Sequence, residues 1–526
     1  MNTGIQTTQH YIQSRAGRQR INTRGFLIYV TCNSRALFRN KMFLKLIAVA
    51  LIVCLGYIIR SMNKPKKFPP GPKWYPVLGC STLVQNLSKK LGSQTKAFKY
   101  LSEEYATDVL GLKLGSDLLV VVYGEKNIRQ VFTEKEFEGR PNSFFIRLRC
   151  LGKRMGITFT DGPVWKEHRQ FTVKQLKNVG FGKTTMEKEI QYEMISILQY
   201  IKENNNKPIN PKNILAMSVM NILWRYMAGE RIEEKRLKFL LDLLDRRSKA
   251  FTIAGGWLNT FPWIRFIFPE TSGYSLINKM NQQLSDIIEE AIEKHKSKEI
   301  KDKDYIYSFL EEMNERKNTF TEDQLKIICL DVLIAGGQTT SNLMDFAVLA
   351  ALRHPDVQEK LYREINEVLG DDVPCWADTS RLHYMSAFLL EVHRYYTIVP
   401  LTGPRRVLWE TTIDGYVIPK DATVLMGVGD LHNDPEYWDE PNKFKPERFI
   451  DEKGLMKNPE HMYPFGLGRR RCPGDALAKS FIFITFVGII QKFKIQCSNG
   501  ILPPKEPIVG LIAGAKPYTA EFLTRA

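Results

Sequence analysis

The chain has 526 residues, 44% of them hydrophobic and 11% aromatic, which is enough to bury one large core or two ordinary ones and excludes a disordered or fibrous protein. Its 75 basic and 57 acidic residues leave a net charge of +18. That charge suits nucleic acid, an anionic membrane surface or an acidic protein partner, but no finger, homeodomain or RNA-binding signature accompanies it, so no nucleic-acid ligand is expected.

The eight cysteines, at 32, 54, 80, 150, 329, 375, 472 and 497, show no CxxC spacing. This argues against zinc and against a disulfide framework, and for a reducing cytosolic setting. Residues 1–41 carry seven basic residues (Arg15, Arg18, Arg20, Arg24, Arg35, Arg39 and Lys41) and no acid, the composition of a mitochondrial presequence. From Met42 to Ile59 a mostly apolar run approaches a bilayer span at about 1.5 Å per residue, so 42–60 is expected to be a membrane anchor helix. Arg60, Lys64, Lys66, Lys67 and Lys73 follow it. For a chain starting at Met42 the positive-inside rule keeps the large domain in the cytosol. Residues 1–41 are therefore read as a basic extension outside the working protein, with an endoplasmic reticulum anchor as the expected address and a mitochondrial one as the alternative.

Residues 61–73 contain Phe68-Pro69-Pro70-Gly71-Pro72 and read as a basic, Pro-rich hinge, a stiff spacer between the anchor and the domain at 74–526. Leu118 to Tyr123 is a β-branched, aliphatic run expected to form a short buried strand. Trp165 and Arg169, four apart, share one helix face. Trp257 to Phe268 is strongly aromatic and broken by Pro262; it is either core or a loop that dips into a membrane. The mixed-charge run Lys294 to Asp304 reads as a solvated helix end and loop.

Thr321-Glu322-Asp323-Gln324 resembles a capping box and opens a stretch free of proline as far as Pro355. Some thirty residues, about 45 Å of helix, are expected there, apolar on most faces and hence central. Within it, Ala335-Gly336-Gly337-Gln338-Thr339-Thr340 either lets a ligand approach the backbone or forms a notch for a crossing helix. Glu391 and Arg394 stand at i and i+3, and Pro446-Glu447-Arg448-Phe449 follows.

The last motif is Phe465-Gly466-Leu467-Gly468-Arg469-Arg470-Arg471-Cys472-Pro473-Gly474. It reads as a loop presenting a thiolate to a metal. Gly468 and Gly474 are expected to supply turn conformations that other residues avoid, and the three arginines to favour thiolate over thiol. Phe-x-x-Gly-x-Arg-x-Cys-x-Gly arises by chance in a chain of this length about once in ten thousand sequences.

This decapeptide resembles the haem-ligand loop of the cytochrome P450 family, and the motifs before it stand in that family's order over residues 60–526. The resemblance implies a mainly α fold with a small β region, the haem lying between the long central helix and the cysteine loop. It implies haem b as cofactor with Cys472 as the axial iron ligand, Trp165, Arg169, Arg405 and Arg470 at the haem propionates, and Ala335, Gly336 and Phe465 against the haem. Glu391, Arg394 and Arg448 would form a buried structural network. Thr339 would assist proton delivery to oxygen. Gln338 occupies the place where the family usually has an acid; an amide hydrogen-bonds water but does not ionise.

By the same resemblance, Phe144, Phe145, Ile334, Ala335, Ile398 to Leu401 and Leu511 to Ala513 would line an apolar substrate pocket. The implied activity is a monooxygenase acting on a lipophilic small molecule. Electrons would come from NADPH through cytochrome P450 reductase, with cytochrome b5 as a second donor, docked on a basic face to which Arg469 and Arg471 contribute. The alternatives are a reductase-independent isomerase or dehydratase acting on a peroxide, and a haem binder without turnover. The overall pattern is similar to membrane-anchored microsomal members from animals, of arthropod type.

Overall fold

A computed structural model describes residues 43–53, 55–56, 58–204, 207–250, 258, 261–300, 303–316, 318–457 and 459–525. The extension at 1–41, together with Trp257, Asn259 and Thr260 of the aromatic run, lies outside the described residues.

The chain divides into two compact units, the second beginning at Lys64. In the first, Phe43–Met62 form a helix of 20 residues with mean hydropathy 2.2, about 30 Å long. Most of its described large apolar side chains, Leu51, Ile52 and Val53 among them, are exposed, as a lipid-facing helix requires.

The second unit is mainly helical with small sheets. Its N-terminal segment is not the free spacer expected of a Pro-rich hinge. Phe68 and Trp74 are buried, Gly111 N–H donates to Pro70 O at 2.7 Å, and a Cβ on Gly71 would stand 2.1 Å from Gly111 O. Prolines that fix an extended backbone here serve to dock it on a strand.

That strand is β1 (Val109–Leu114), which pairs antiparallel with β2 (Asp117–Val122), the strand expected near Leu118. The principal sheet also takes in β3 (Thr402–Arg406) and β4 (Thr423–Met426), in the order β1-β2-β4-β3. A register shift between Thr402 and Arg405 bends β3, the strand that delivers Arg405.

The central helix runs from Glu322 to Arg353, 32 residues, and is buried on most faces. Thr321 caps it by accepting from Gln324 N–H, but the expected box does not close. The Gln324 side chain is spent on the backbone of Gly156, accepting at 3.0 Å and donating at 3.4 Å. The helix Pro211–Ala228 crosses it, and Asp475–Lys492, which follows the cysteine loop, is nearly all buried.

The expected solvated end at Lys294 to Asp304 is so only in part. The helix Tyr274–Lys296 does stop there, yet His295 Nε2 meets Asp304 Oδ2 at 2.7 Å in the interior. From Trp263 onward the aromatic run forms only the four-residue helix Ile264–Ile267, in which Ile264 packs against the core but no residue is buried. Trp263 is 55% exposed and Phe266 75%.

Candidate active site

The cysteine loop is closed by Cys472 N–H, which donates to Phe465 O at 2.9 Å. Gly466 and Gly468 both have φ +68°, and a Cβ on Gly468 would stand 2.5 Å from Phe132 O. The left-handed turns therefore precede the cysteine. Gly474, expected to supply another, has φ −94° and caps the following helix. A Cβ there would sit 3.8 Å from Cys472 Sγ, so this glycine leaves room beside the sulfur instead.

Nor do the three arginines create the expected field. Arg469 pairs with Glu138 at 3.3 Å, Arg470 donates from Nε to Glu138 O at 3.0 Å, and Arg471 offers its carbonyl to Arg169 Nη2 at 2.5 Å. Burial pushes the Cys472 thiol up, and the Gly474 N–H and the Arg169 charge oppose this only in part. A sulfur so placed becomes a thiolate by binding a cation at Sγ, as an iron ligand does.

Above the loop lies a cavity of about 310 Å3. The central helix contributes Ala335, Gly336, Thr339 and Thr340 to its wall, and the loop contributes Phe465 and Cys472. One helical turn divides its residues among three neighbours. Ala335 and Thr339 face the cavity, and Thr339 Oγ1 donates to Ala335 O at 2.7 Å. Gly336 and Gly337 receive the crossing helix, since Cβ atoms there would stand 2.7 Å from Leu223 and 2.5 Å from Met220. The small residues are thus a packing notch, with the backbone of Gly336 also at the cavity wall. Gln338 points elsewhere, its Nε2 donating to Leu244 O at 3.2 Å.

At one edge of the cavity three arginines converge: Arg140, Arg405 and Arg470. Nε of Arg140, Nη1 of Arg405, Nη1 and Nη2 of Arg470, and Nε1 of Trp165 are buried and have no partner among the described residues. Burial, and then the neighbouring cations, push these guanidiniums down, Arg140 to about 10, Arg405 to about 9 and Arg470 to about 8. Buried donors normally find partners, and each one left bare costs about 1–3 kcal/mol or more. A group with two carboxylates at this edge would satisfy them together, so the residues present fit a haem with its propionates.

Asp161 sets the edge in place. Its Oδ2 accepts from Arg140 N–H at 2.8 Å, Arg406 Nη2 at 2.8 Å and Arg154 Nη2 at 2.7 Å. Although burial opposes its charge, these donors hold the carboxyl below its usual range. Arg140 Nη1 in turn donates to Pro404 O at 2.6 Å, beside Arg405.

Trp165 and Arg169 share the helix Gly162–Asn178 as expected. Trp165 is buried under Arg470, whereas Arg169 is occupied by the Arg471 carbonyl. Arg169 faces a second concavity, a basin of about 1140 Å3 on the other side of the cysteine. Lys166, Lys174, Lys177, Lys183, Arg469 and Arg471 also line it, with Asp475 as the one acid. Cys472 and Phe181 border both concavities, so the wall between them is thin.

Behind the site, the buried carboxylate of Glu391 accepts from Arg394 Nε (2.7 Å) and Nη2 (2.8 Å), from Arg448 Nε (3.1 Å) and from Lys445 N–H (2.8 Å). Arg394 also reaches the carbonyls of His432 and Pro441. Of the expected substrate contacts, Ala335, Ile398 and Val399 line the cavity. Phe145 and Ala513 belong to the main core, against which Phe144, Ile334 and Ile512 pack, and Leu401 belongs to a smaller, separate one.

Sequence reasoning missed Arg140, His393, which lines the cavity and meets the Phe465 ring edge-on at 5.3 Å, and the four lysines of the basin. The Gly139-Arg140-Pro141 sequence ahead of Phe144 was the only available signal for Arg140.

The sequence model of the cytochrome P450 family matches residues 69–522. The chain is 41% identical over 494 residues to the probable cytochrome P450 305a1 of Drosophila melanogaster, covering 90% of this chain and 98% of that one. It is 36% identical to the farnesoate epoxidase of Bombyx mori over 91% and 98% of the two chains. It is 32% identical to cytochrome P450 2J2 of Homo sapiens over 86% and 90%.

Proposed function

The chain belongs to the cytochrome P450 family of haem-thiolate monooxygenases, and from that premise we propose that it inserts one oxygen atom from dioxygen into a lipophilic small molecule, by hydroxylation or epoxidation, with electrons from NADPH delivered by a flavoprotein reductase. The observation that carries this reading is the convergence on one cavity of Cys472, Thr339 and a set of buried arginine donors without partners among the described residues. Haem bound there, with Cys472 as iron ligand, supplies the activation of oxygen.

The protein's own residues then have separate tasks. Arg140, Arg405, Arg470 and the Trp165 indole N–H hold the propionates, and Phe465 packs at the wall of the cofactor cavity. Arg169 braces the loop through the Arg471 carbonyl. Ala335, Ile398 and Val399 offer only apolar surface to a substrate, which selects lipophiles. The Thr339 hydroxyl is the group next to the cavity that holds and passes a proton, and it gives the monooxygenase reading the advantage over a peroxide isomerase. Gln338, whose amide is spent on Leu244 O, stands outside that proton path.

The basin behind Cys472 is the docking face for an acidic reductase, and cytochrome b5 would share it. The helix at 43–62 anchors the chain in the endoplasmic reticulum membrane with the domain at 74–526 in the cytosol. Trp263, Phe266 and Phe268 rest on the bilayer surface and admit lipophiles from it. The mitochondrion is the alternative address.

The test is the reduced, carbon monoxide difference spectrum of the expressed protein beside Cys472→Ser. A strongly red-shifted Soret band in the wild type and its absence in the variant are expected. A band indifferent to the substitution would end the proposal.

A further inference from the structure

We propose that Gln338 is a positioning residue. Its amide ties the helix Glu234–Ala250 to the central helix one residue before Thr339 and keeps that side of the cavity closed to water. This rests on the monooxygenase reading and assigns a task to the residue that departs from the family's usual acid.

The turn Ala335–Thr339 is fixed on one side by the notch at Gly336 and Gly337, into which Leu223 and Met220 fit. On its other side a polar link to the helix Glu234–Ala250 is Gln338 Nε2 to Leu244 O, 3.2 Å. Leu244 is 3% exposed, and Leu240 and Leu243 beside it are fully buried. The acceptor side of the bond is therefore dry, while Gln338 itself is half-buried, so an unmade bond would leave the second lone pair of a buried carbonyl unanswered.

The chemistry of the pair selects an amide. The Leu244 carbonyl has a second lone pair free for a side-chain donor. An ionised glutamate has the same shape as glutamine but only accepts, so at neutral pH it would set two oxygens against each other. An ionised acid at this position cannot make this tether, which gives a physical reason for Gln338 where a proton-relay acid is usual.

Gln338 does not line the cavity; the tether acts on it by holding the turn that carries the Thr339 hydroxyl against the helix Glu234–Ala250. With the tether broken, bulk water reaches that hydroxyl, and more of the electrons end in peroxide: NADPH + H+ + O2 → NADP+ + H2O2.

The experiment compares the full-length membrane-bound protein with Gln338→Glu and Gln338→Met. Hydrogen exchange of the amides in 234–250 is followed, together with the peroxide formed per NADPH consumed in the presence of reductase. Loss of one buried hydrogen bond predicts roughly tenfold faster exchange near Leu244 in both variants, greater in Glu than in Met, and a higher peroxide yield in the same order. A Glu variant that exchanges like the wild type overturns the tether, because shape alone would then suffice. Faster exchange with unchanged peroxide overturns its catalytic consequence. Absence of a thiolate-haem band in the wild type would defeat the monooxygenase reading, while the exchange order would still decide the tether.

Discussion

The guanidinium of Arg470 lies over the indole of Trp165, its central carbon 3.5 Å from the ring centroid, and both terminal nitrogens of the arginine and the indole N–H are buried without partners among the described residues. The stacked pair holds its hydrogen-bonding capacity in reserve. Arg405 and Arg140 add further bare donors at the same cavity edge, and Asp161 and Glu138 offset the mutual repulsion of the three cations only in part, so a further anion is favoured there.

Substituting Arg470→Leu should therefore release cofactor. Hydrogen bonds to charged groups contribute about 1.5–3 kcal/mol each, so haem retention should fall at least roughly tenfold. The checks are haem per protein after purification and the rate of haem transfer to excess apo-globin. Arg169→Leu should lose less, because Arg169 already serves the Arg471 carbonyl. Equal losses from the two variants would mean that the propionates are held elsewhere.

The two glycines flanking the cysteine should behave differently. In Gly468→Ala the new Cβ meets Phe132 O at 2.5 Å on a backbone of φ +68°, and neither obstacle can yield without moving the loop; the protein should accumulate without haem. In Gly474→Ala the backbone is unstrained and the Cβ is 3.8 Å from the sulfur. That variant should fold, bind haem and show a shifted Soret band. Wild-type haem content in Gly468→Ala would remove the strained turn from the account.

The contrast between those glycines shows what the sequence could disclose. The ligand cysteine, the Trp165 helix, the central helix and the Glu391 network were legible because each is a short motif, or a long pattern, whose chemistry is local. The direction of a side chain at a helix crossing was not. Nothing in Ala335-Gly336-Gly337-Gln338-Thr339 says that the glycines face Leu223 and Met220 while Gln338 faces Leu244, since this depends on helices more than eighty residues away. The arginine run misled for a similar reason, as Glu138 and Trp165, which turn Arg469 and Arg470 away from the sulfur, come from distant segments. Arg140 escaped notice because a lone arginine acquires meaning only from Asp161 and Pro404 beside it.

Glu391→Gln should unfold the protein far more readily than a surface change. The substitution removes the charge that answers two buried guanidiniums, those of Arg394 and Arg448. Breaking such a network costs about 3–5 kcal/mol. Thermal unfolding of the haem-loaded protein is the measure, and a midpoint within a degree of the wild type would show that the network is dispensable.

Acid should destabilise the protein through His432. Its Nε2 accepts from Tyr463 N–H at 3.0 Å and its Nδ1 meets Thr397 Oγ1 at 3.1 Å, so the ring is held neutral. Burial, with His393 and Arg394 nearby, pushes its pKa down to about 3. The unfolded chain, with histidine near 6.5, binds the extra proton between those values. The stability it contributes is therefore present above about pH 6.5 and is lost as pH falls toward 3, at about 1.4 kcal/mol per pH unit. His432→Gln should start less stable at pH 7 but lose less between pH 6.5 and 5 in denaturant titrations. An unchanged slope would place the acid sensitivity elsewhere.

The basin behind Cys472 makes the last prediction electrostatic. Lys174 and Lys183 are exposed on its rim and appear in no ion pair among the described residues, whereas Arg469 is already paired with Glu138. Lys174→Glu combined with Lys183→Glu should slow reductase-driven haem reduction tenfold or more at low salt, an order of magnitude typical of steering by complementary charge. Arg469→Glu should do less. The gap between wild type and double variant should close as salt rises from about 0.1 M to 1 M, because the screening length falls from about 10 Å to about 3 Å. Chemical reduction by dithionite should be the same for both proteins, which separates docking from damage to the cofactor. A double variant reduced at the wild-type rate by the reductase, at every salt concentration, would mean that electrons enter by another face.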